Sequence, residues 1–177
     1  MKKLSELLGV VDFVVCSNNS DPDIVSVVEN SNHVVDGALF VARPGLVSDG
    51  HQFIKLAIKN GASAIVGERP YDSVNQYFLN TNVPYIQVVN GADALAWIAA
   101  SLGEFPSQKL VLIGVTGTDG KTTTCNIIYS ILKASGIATG LITTVNAVIG
   151  DIVHDTGFHV TTPDSVSLQG LLGDMVE

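Results

Sequence analysis

Apolar residues recur along the chain in two rhythms. Short runs rich in Val, Ile and Leu, bounded by polar or glycine-containing breaks, occur at 23–29, 38–42, 64–66 and 85–89. Runs of that length with β-branched residues predict strands. Between them, Phe53, Ile54, Ala57 and Ile58 repeat at the spacing of one helix face, and Leu95, Ile98, Ala99 and Leu102 do the same. The first set predicts a helix from His51 to about Asn60, stopped by Gly61; the second predicts a helix over 92–102. Trp97 falls at core spacing on that helix and is expected to pack inward. The opening residues add a short amphipathic segment at 4–8, an apolar β-branched run at 10–16 and a turn at 17–22. Residues 71–80 read as a loop or short helix. Strand and helix alternate over roughly the first hundred residues, which predicts a small α/β domain.

Gly103-Glu104-Phe105-Pro106-Ser107-Gln108 interrupts this pattern with Gly and Pro and marks the predicted boundary. The fold expected is α/β throughout: a small N-terminal α/β domain over 1–105, then the start of a parallel-sheet, phosphate-loop-type domain over 106–177. In the second part an apolar run, Leu110-Val111-Leu112-Ile113, predicts a strand, and a helix begins near Lys121 and ends at Ser135-Gly136. Residues 138–149 are β-prone, Gly150-Asp151 is a turn, and 152–160 can pair back as a hairpin strand. Thr161-Thr162-Pro163-Asp164-Ser165 opens a last helix over 166–176, with Thr162 as the expected N-cap.

Candidate chemistry lies between the 110–113 run and the helix that follows. Gly114-Val115-Thr116-Gly117-Thr118-Asp119-Gly120-Lys121-Thr122-Thr123-Thr124 places glycines three residues apart ahead of a Lys-Thr pair. Strand, glycine-rich loop and helix together make the context of a phosphate-binding loop. Glycines let backbone N–H groups turn inward, and the helix start adds its positive end. Lys121 can reach terminal phosphates, and the Thr122 hydroxyl can ligate Mg²⁺. The strict pattern asks for a glycine where Val115 stands. An ordinary βα turn followed by a lysine is the bland reading, and the agreement of strand, glycines, Lys-Thr and helix outweighs it.

Composition narrows the class. With 46% apolar and 15% charged residues the chain is globular rather than disordered. No apolar run reaches the length of a membrane span, and the N-terminal residues lack the apolar core of a signal peptide, so a cytoplasmic location is expected. A formal charge of −8 argues against general nucleic-acid binding, which needs a basic face. Cys16 and Cys125 have no pairing or metal spacing; Cys125 stands in the first turn of the helix, where a thiol can be activated, and is expected instead to be a small buried apolar residue. His33, His51, His154 and His159 have no ligand spacing. Asp49 beside Gly50 reads as a turn residue, Glu68 and Arg69 as loop charges, and Asp151 and Asp155 as a solvated face.

Val115-Thr116-Gly117-Thr118-Asp119-Gly120-Lys121-Thr122-Thr123 resembles the ATP loop of the Mur ligases. The run Asp36-Gly37-Ala38-Leu39-Phe40-Val41-Ala42, with Gly45, Asp49-Gly50, Phe53-Ile54 and Gly61-Ala62-Ser63-Ala64-Ile65-Val66, resembles the N-terminal domain of the MurE type. Thr161-Thr162-Pro163 with Leu168-Gln169 is similar to that type's substrate-binding turn. The resemblance runs from about residue 23 to the end. It implies ATP-driven amide-bond synthesis on UDP-N-acetylmuramoyl-dipeptide in peptidoglycan precursor assembly. The substrate carboxylate becomes an acyl phosphate that the amine of an amino acid, diaminopimelate or lysine, displaces.

By the same resemblance, Gly117, Thr118, Asp119, Gly120, Lys121, Thr122 and Thr123 bind ATP and Mg²⁺, with Lys121 in the catalytic role and Thr122 on the metal. Ser31, Thr161 and Thr162 contact the uridine nucleotide substrate. Four departures stand out. Asp119 replaces the family's usual Asn, and a carboxylate there must face a cation, face solvent or cap the helix. Asn32 follows Ser31 where an arginine is usual. Leu46 and Val47 are apolar where some members place polar contacts. Family members also run to more than twice this length, so the chain is expected to be part of a longer protein and inactive alone. Two further readings stay open: a non-catalytic nucleotide- or UDP-sugar-binding relative, and a Mur-type ligase with another substrate, such as a folyl or cyanophycin ligase.

Overall fold

The computed structural model describes residues 1–45, 48–155 and 163–177. They form two compact units, Met1–Glu104 and Phe105–Glu177.

In the first unit, β1 (Lys2–Lys3) runs into the short helix α1 (Leu4–Leu8), followed by β2 (Phe13–Cys16), β3 (Asp23–Ile24), β4 (Ser26–Val28) and β5 (Ala38–Ala42). The expected 23–29 strand is therefore broken at Val25, where β3 pairs with β1 and β4 with β5. A 3-10 turn at Gly50–Phe53 leads into α2 (Ile54–Lys59), then β6 (Ala62–Gly67), α3 (Tyr71–Val74), β7 (Tyr85–Val88) and α4 (Gly91–Leu102). The five-stranded sheet has the order β2-β7-β6-β5-β4, parallel except for β2 at its edge.

All five residues of β5 are buried, because helices cover both faces of the sheet. Ala38, Phe40 and Ala42 pack with Ile54, Ala57, Val74, Phe78 and Tyr85 in one cluster. Leu39 and Val41 alternate to the other face, the side of α4 and its buried Leu95 and Ile98. Trp97 departs from expectation: it is 53% exposed. Ala94, Leu95, Ile98 and Ala99 form the buried stripe of α4, and Trp97 lies at the edge of that stripe. Gly61, at φ +103, passes so close to Asp36 that a Cβ would overlap it.

The second unit holds α5 (Lys121–Ala134), β8 (Leu141–Ile142), β9 (Asn146–Ile149), β10 (Ile152–Asp155) and α6 (Ser165–Val176). The three strands form an antiparallel sheet, β10-β9-β8, with β9 and β10 a hairpin about Gly150. Leu141, Ala147, Val148 and Leu172 are its buried apolar residues. The strand expected at 110–113 is not formed, and Val111 is 94% exposed. A parallel strand needs neighbours brought by crossover connections, and the described strands of this unit pair only with one another. Consistently, α5 has no buried residue and leaves Ile127 and Ile131 exposed. Asp164, not Thr162, caps α6: its carboxylate accepts from the Ser167 N–H at 2.9 Å and from the Ser167 hydroxyl at 2.7 Å. Both cysteines are free and half-buried, so Cys125 is less buried than expected.

Candidate functional sites

Each unit presents a concave polar site. In the second unit it is the loop ahead of α5. Gly117 and Gly120 adopt φ +150 and +77, conformations open to glycine and strained for other residues. They turn the chain into α5, whose N-cap is Gly120 itself, with no side-chain hydrogen bond at the cap. The N–H groups of the first turn thus keep their positive end for a ligand. Asp119 is exposed and does not cap the helix, which removes one of the three roles open to it. A cavity of about 310 Å³ is lined by Thr118, Asp119, Gly120, Lys121, Thr122, Thr123 and Thr144.

The Lys121 ammonium is folded back onto the loop, donating to the carbonyls of Gly117 at 2.7 Å and Thr118 at 2.9 Å. These bonds brace the loop and hold a positive charge over its concave side. The Thr122 hydroxyl lies 3.2 Å from that of Thr144, which follows β8. Thr144 has no motif spacing to the loop, and only the folded chain joins them. Among the described residues no group of three or more His, Cys, Asp or Glu is placed to hold a metal. The Thr122 hydroxyl and the Asp119 carboxylate on this cavity are oxygen donors of the kind Mg²⁺ takes, one or two protein oxygens together with waters and substrate phosphates.

The first unit places its site at the carboxyl ends of the parallel strands, where open α/β sheets bind ligands. The turn after β4 carries Asn30 and Ser31, and the loop after β5 carries Arg43, Gly45, Ser48 and Gly50. Together with Phe53 they line a cavity of about 420 Å³. Ser31 is 6% exposed, and its carbonyl accepts from the Asn60 side chain at 2.9 Å, which fixes the turn against α2. Arg43 is ion-paired with Glu29 at 2.6 Å across this cavity. Leu46, Val47, Thr161 and Thr162, all singled out in the sequence, lie outside the described residues.

Behind the loop after β5 lies a polar network that the sequence did not reveal. His51 is 1% exposed. Its Nε2 accepts from the backbone N–H groups of Glu68 at 3.0 Å and Arg69 at 3.2 Å. That assignment leaves the proton on Nδ1, which donates to Asp49 Oδ1 at 2.6 Å. The second Asp49 oxygen meets the Arg69 guanidinium at 2.5 Å. Glu68 Oε1 accepts from the Gly91 N–H at the start of α4, and the Tyr85 hydroxyl donates to the Arg69 carbonyl. Burial pushes the Asp49 carboxyl up, but the His51 backbone N–H, the His51 ring and Arg69 outweigh it and hold Asp49 below its ordinary value. Burial also pushes the Tyr85 phenol well above its usual value, so it stays a neutral donor. Asp49 is a turn residue, as expected, capping the 3-10 turn at Gly50–Phe53, whereas Glu68 and Arg69 are not simple loop charges. The three hold the loops after β5 and β6 together.

Sequence comparison places these sites in context. The profile described as Mur ligase family, catalytic domain, matches residues 23–102, and the Mur ligase middle domain matches 115–177. A UDP-N-acetylmuramoyl-L-alanyl-D-glutamate–2,6-diaminopimelate ligase of Cytophaga hutchinsonii is 38% identical over 99% of the chain, which covers 35% of that protein. The protein of the same name from Bacillus cereus is 42% identical over 99% of the chain, covering 34% of its length. The chain thus spans about a third of the length of the curated relatives it matches. Among solved structures, one titled as a UDP-N-acetylmuramoyl-L-alanyl-D-glutamate–2,6-diaminopimelate ligase is similar in fold, with a TM-score of 0.63 at 21% identity over 86% of this chain and 29% of that one.

Proposed function

The chain belongs to the Mur ligase family over residues 23–102 and 115–177, and on that premise we propose that it forms the substrate-nucleotide and ATP-loop portion of a MurE-type ligase. The reaction proposed for the whole protein is ATP-dependent amide formation between UDP-N-acetylmuramoyl-dipeptide and diaminopimelate, the two substrates that the names of the relatives above join. The observation that carries the ATP part is the loop geometry: two positive-φ glycines, an uncapped helix start, and Lys121 and Thr122 on one cavity.

The roles follow from chemistry. Backbone N–H groups at the start of α5 would receive phosphate oxygens, and Lys121 would exchange its two loop carbonyls for the terminal phosphates. Thr122 would hold Mg²⁺, which supplies charge neutralisation at the phosphates when bound. ATP would provide the phosphoryl group that activates the substrate carboxylate for attack by the amine. Gly117, Thr118, Asp119, Gly120 and Thr123 complete the cradle, with Asp119 toward the metal or solvent. In the first unit the cavity beside Ser31 would take the uridine end of the substrate, with Arg43 as its nearby cation.

Calorimetric titration of Mg-ATP and of UDP-N-acetylmuramoyl-dipeptide into this chain tests the reading. Lys121→Ala is expected to abolish ATP binding and spare the uridine substrate, while Arg43→Ala weakens the uridine substrate about tenfold and spares ATP. A folded chain that binds neither ligand overturns the proposal.

A further inference from the structure

We infer that Thr144 is a positioning residue for the metal end of the loop: its hydroxyl accepts the Thr122 proton and so turns a Thr122 lone pair toward Mg²⁺. The inference rests on the nucleotide reading above and adds to it a residue that no loop motif contains.

The turn that carries Thr144 is held by the residues on either side of it. Thr143 is buried, and its hydroxyl donates to Asn146, whose backbone oxygen lies at 3.1 Å and side-chain oxygen at 3.0 Å. The Thr143 hydroxyl oxygen in turn accepts from the N–H groups of Val145 and Asn146, each at 3.2 Å. The Thr143 N–H closes the turn onto the Asn146 carbonyl at 2.8 Å. Thr143 and Asn146 therefore spend their polar groups on the turn itself. Thr144 does not: its hydroxyl faces Thr122 at 3.2 Å and lines the same cavity. With β8 before the turn and β9 after it, the position is held by the sheet rather than by the loop.

A hydroxyl has one proton and two lone pairs. An oxygen whose lone pair engages a cation becomes a stronger donor, and its proton is driven away from the cation toward an acceptor. For Thr122 the Thr144 oxygen is such an acceptor, already within hydrogen-bond distance. Outer partners of this kind orient metal ligands and raise affinity. The opposite polarity, with Thr144 donating to Thr122, would occupy a lone pair that the metal needs. Removing the Thr144 hydroxyl would then leave Mg²⁺ dependence unchanged or strengthen it. The two polarities predict opposite results.

The test is ATP titration of the 177-residue chain in EDTA and across a MgCl₂ series, comparing wild type, Thr144→Val, Thr144→Ser and Lys121→Ala. The readout is the ratio of ATP affinity with and without Mg²⁺. Valine keeps the branched shape, so circular dichroism is expected to be unchanged, and the ratio is expected to fall about 3- to 10-fold, the worth of one hydrogen bond. Affinity in EDTA should stay the same, and serine should restore the ratio. A ratio unchanged or raised in Thr144→Val overturns the inference, as does an equal loss with and without metal or a failure of serine to rescue. Lys121→Ala must lose affinity in both conditions. If wild type binds no ATP in either, the nucleotide reading falls, and this inference falls with it.

Discussion

His51→Leu is the sharpest probe of the network behind the first unit's cavity. Leucine fills most of the imidazole volume, so the change isolates the polar contribution. The ring is 1% exposed, and its Nε2 is the acceptor for two backbone N–H groups, those of Glu68 and Arg69. With leucine both are left without that acceptor in a partly buried setting, at a cost of about 1–2 kcal/mol each. Asp49 loses its bond to Nδ1 but keeps Arg69, so its contribution is smaller. The expected destabilisation is about 2–4 kcal/mol, and His51→Ala adds roughly 1–2 kcal/mol for the cavity left behind. Because the chain has two compact units, one melting transition need not report on this region. Amide hydrogen exchange at Glu68, Arg69 and Gly91 reports on it directly. Protection there should drop roughly 30- to several-hundred-fold in His51→Leu, while amides of α5 are unaffected. A drop below about fivefold would mean that the two N–H groups find other partners, and the assigned role of His51 would be wrong.

Three further outcomes follow from the same structure. Asp49 is held below its ordinary value of 3.8 in the folded state, so its ion pairs stabilise the fold above that pH and the contribution is lost as pH falls through the folded value; Asp49→Asn should flatten the acid limb of stability below about pH 4 in a urea series. Gly61→Ala places a Cβ against Asp36 at φ +103 and should cost about 2 kcal/mol or more, read as a fall in urea midpoint. Asp164→Ala removes the N-cap of α6 and should cost about 1 kcal/mol, seen as faster exchange at the Ser167 amide and little change in β7.

Much of the first unit is decided locally. The run at 38–42 is β5 residue for residue, since an all-apolar run between polar breaks can bury itself on both faces of a sheet. Helix α5 starts at Lys121 because Gly120 supplies the left-handed turn and Lys121 to Ala134 contains no Gly or Pro. The glycine turn ahead of Lys121 and Thr122 was legible for the same reason: its parts are contiguous. Other features needed the fold. Helical period puts Trp97 near a face but cannot say where the buried stripe ends. The run at 110–113 has strand composition, yet a strand exists only where another chain segment offers its ladder.

What the sequence by itself determined, then, is the succession of most elements and the glycine turn that leads into α5 at Lys121. The tertiary structure decided which distant residues meet. His51 and Arg69 are brought together because β5 and β6 run parallel in a register that sets Ala42 beside Gly67, so the loops leaving both strands share one end of the sheet. Thr122 and Thr144 meet because β8 returns the chain beside the start of α5. Local propensity and motif spacing act over a few residues, whereas strand register and helix packing join residues about twenty apart. The polar partners that orient both sites are built from that second kind of neighbour.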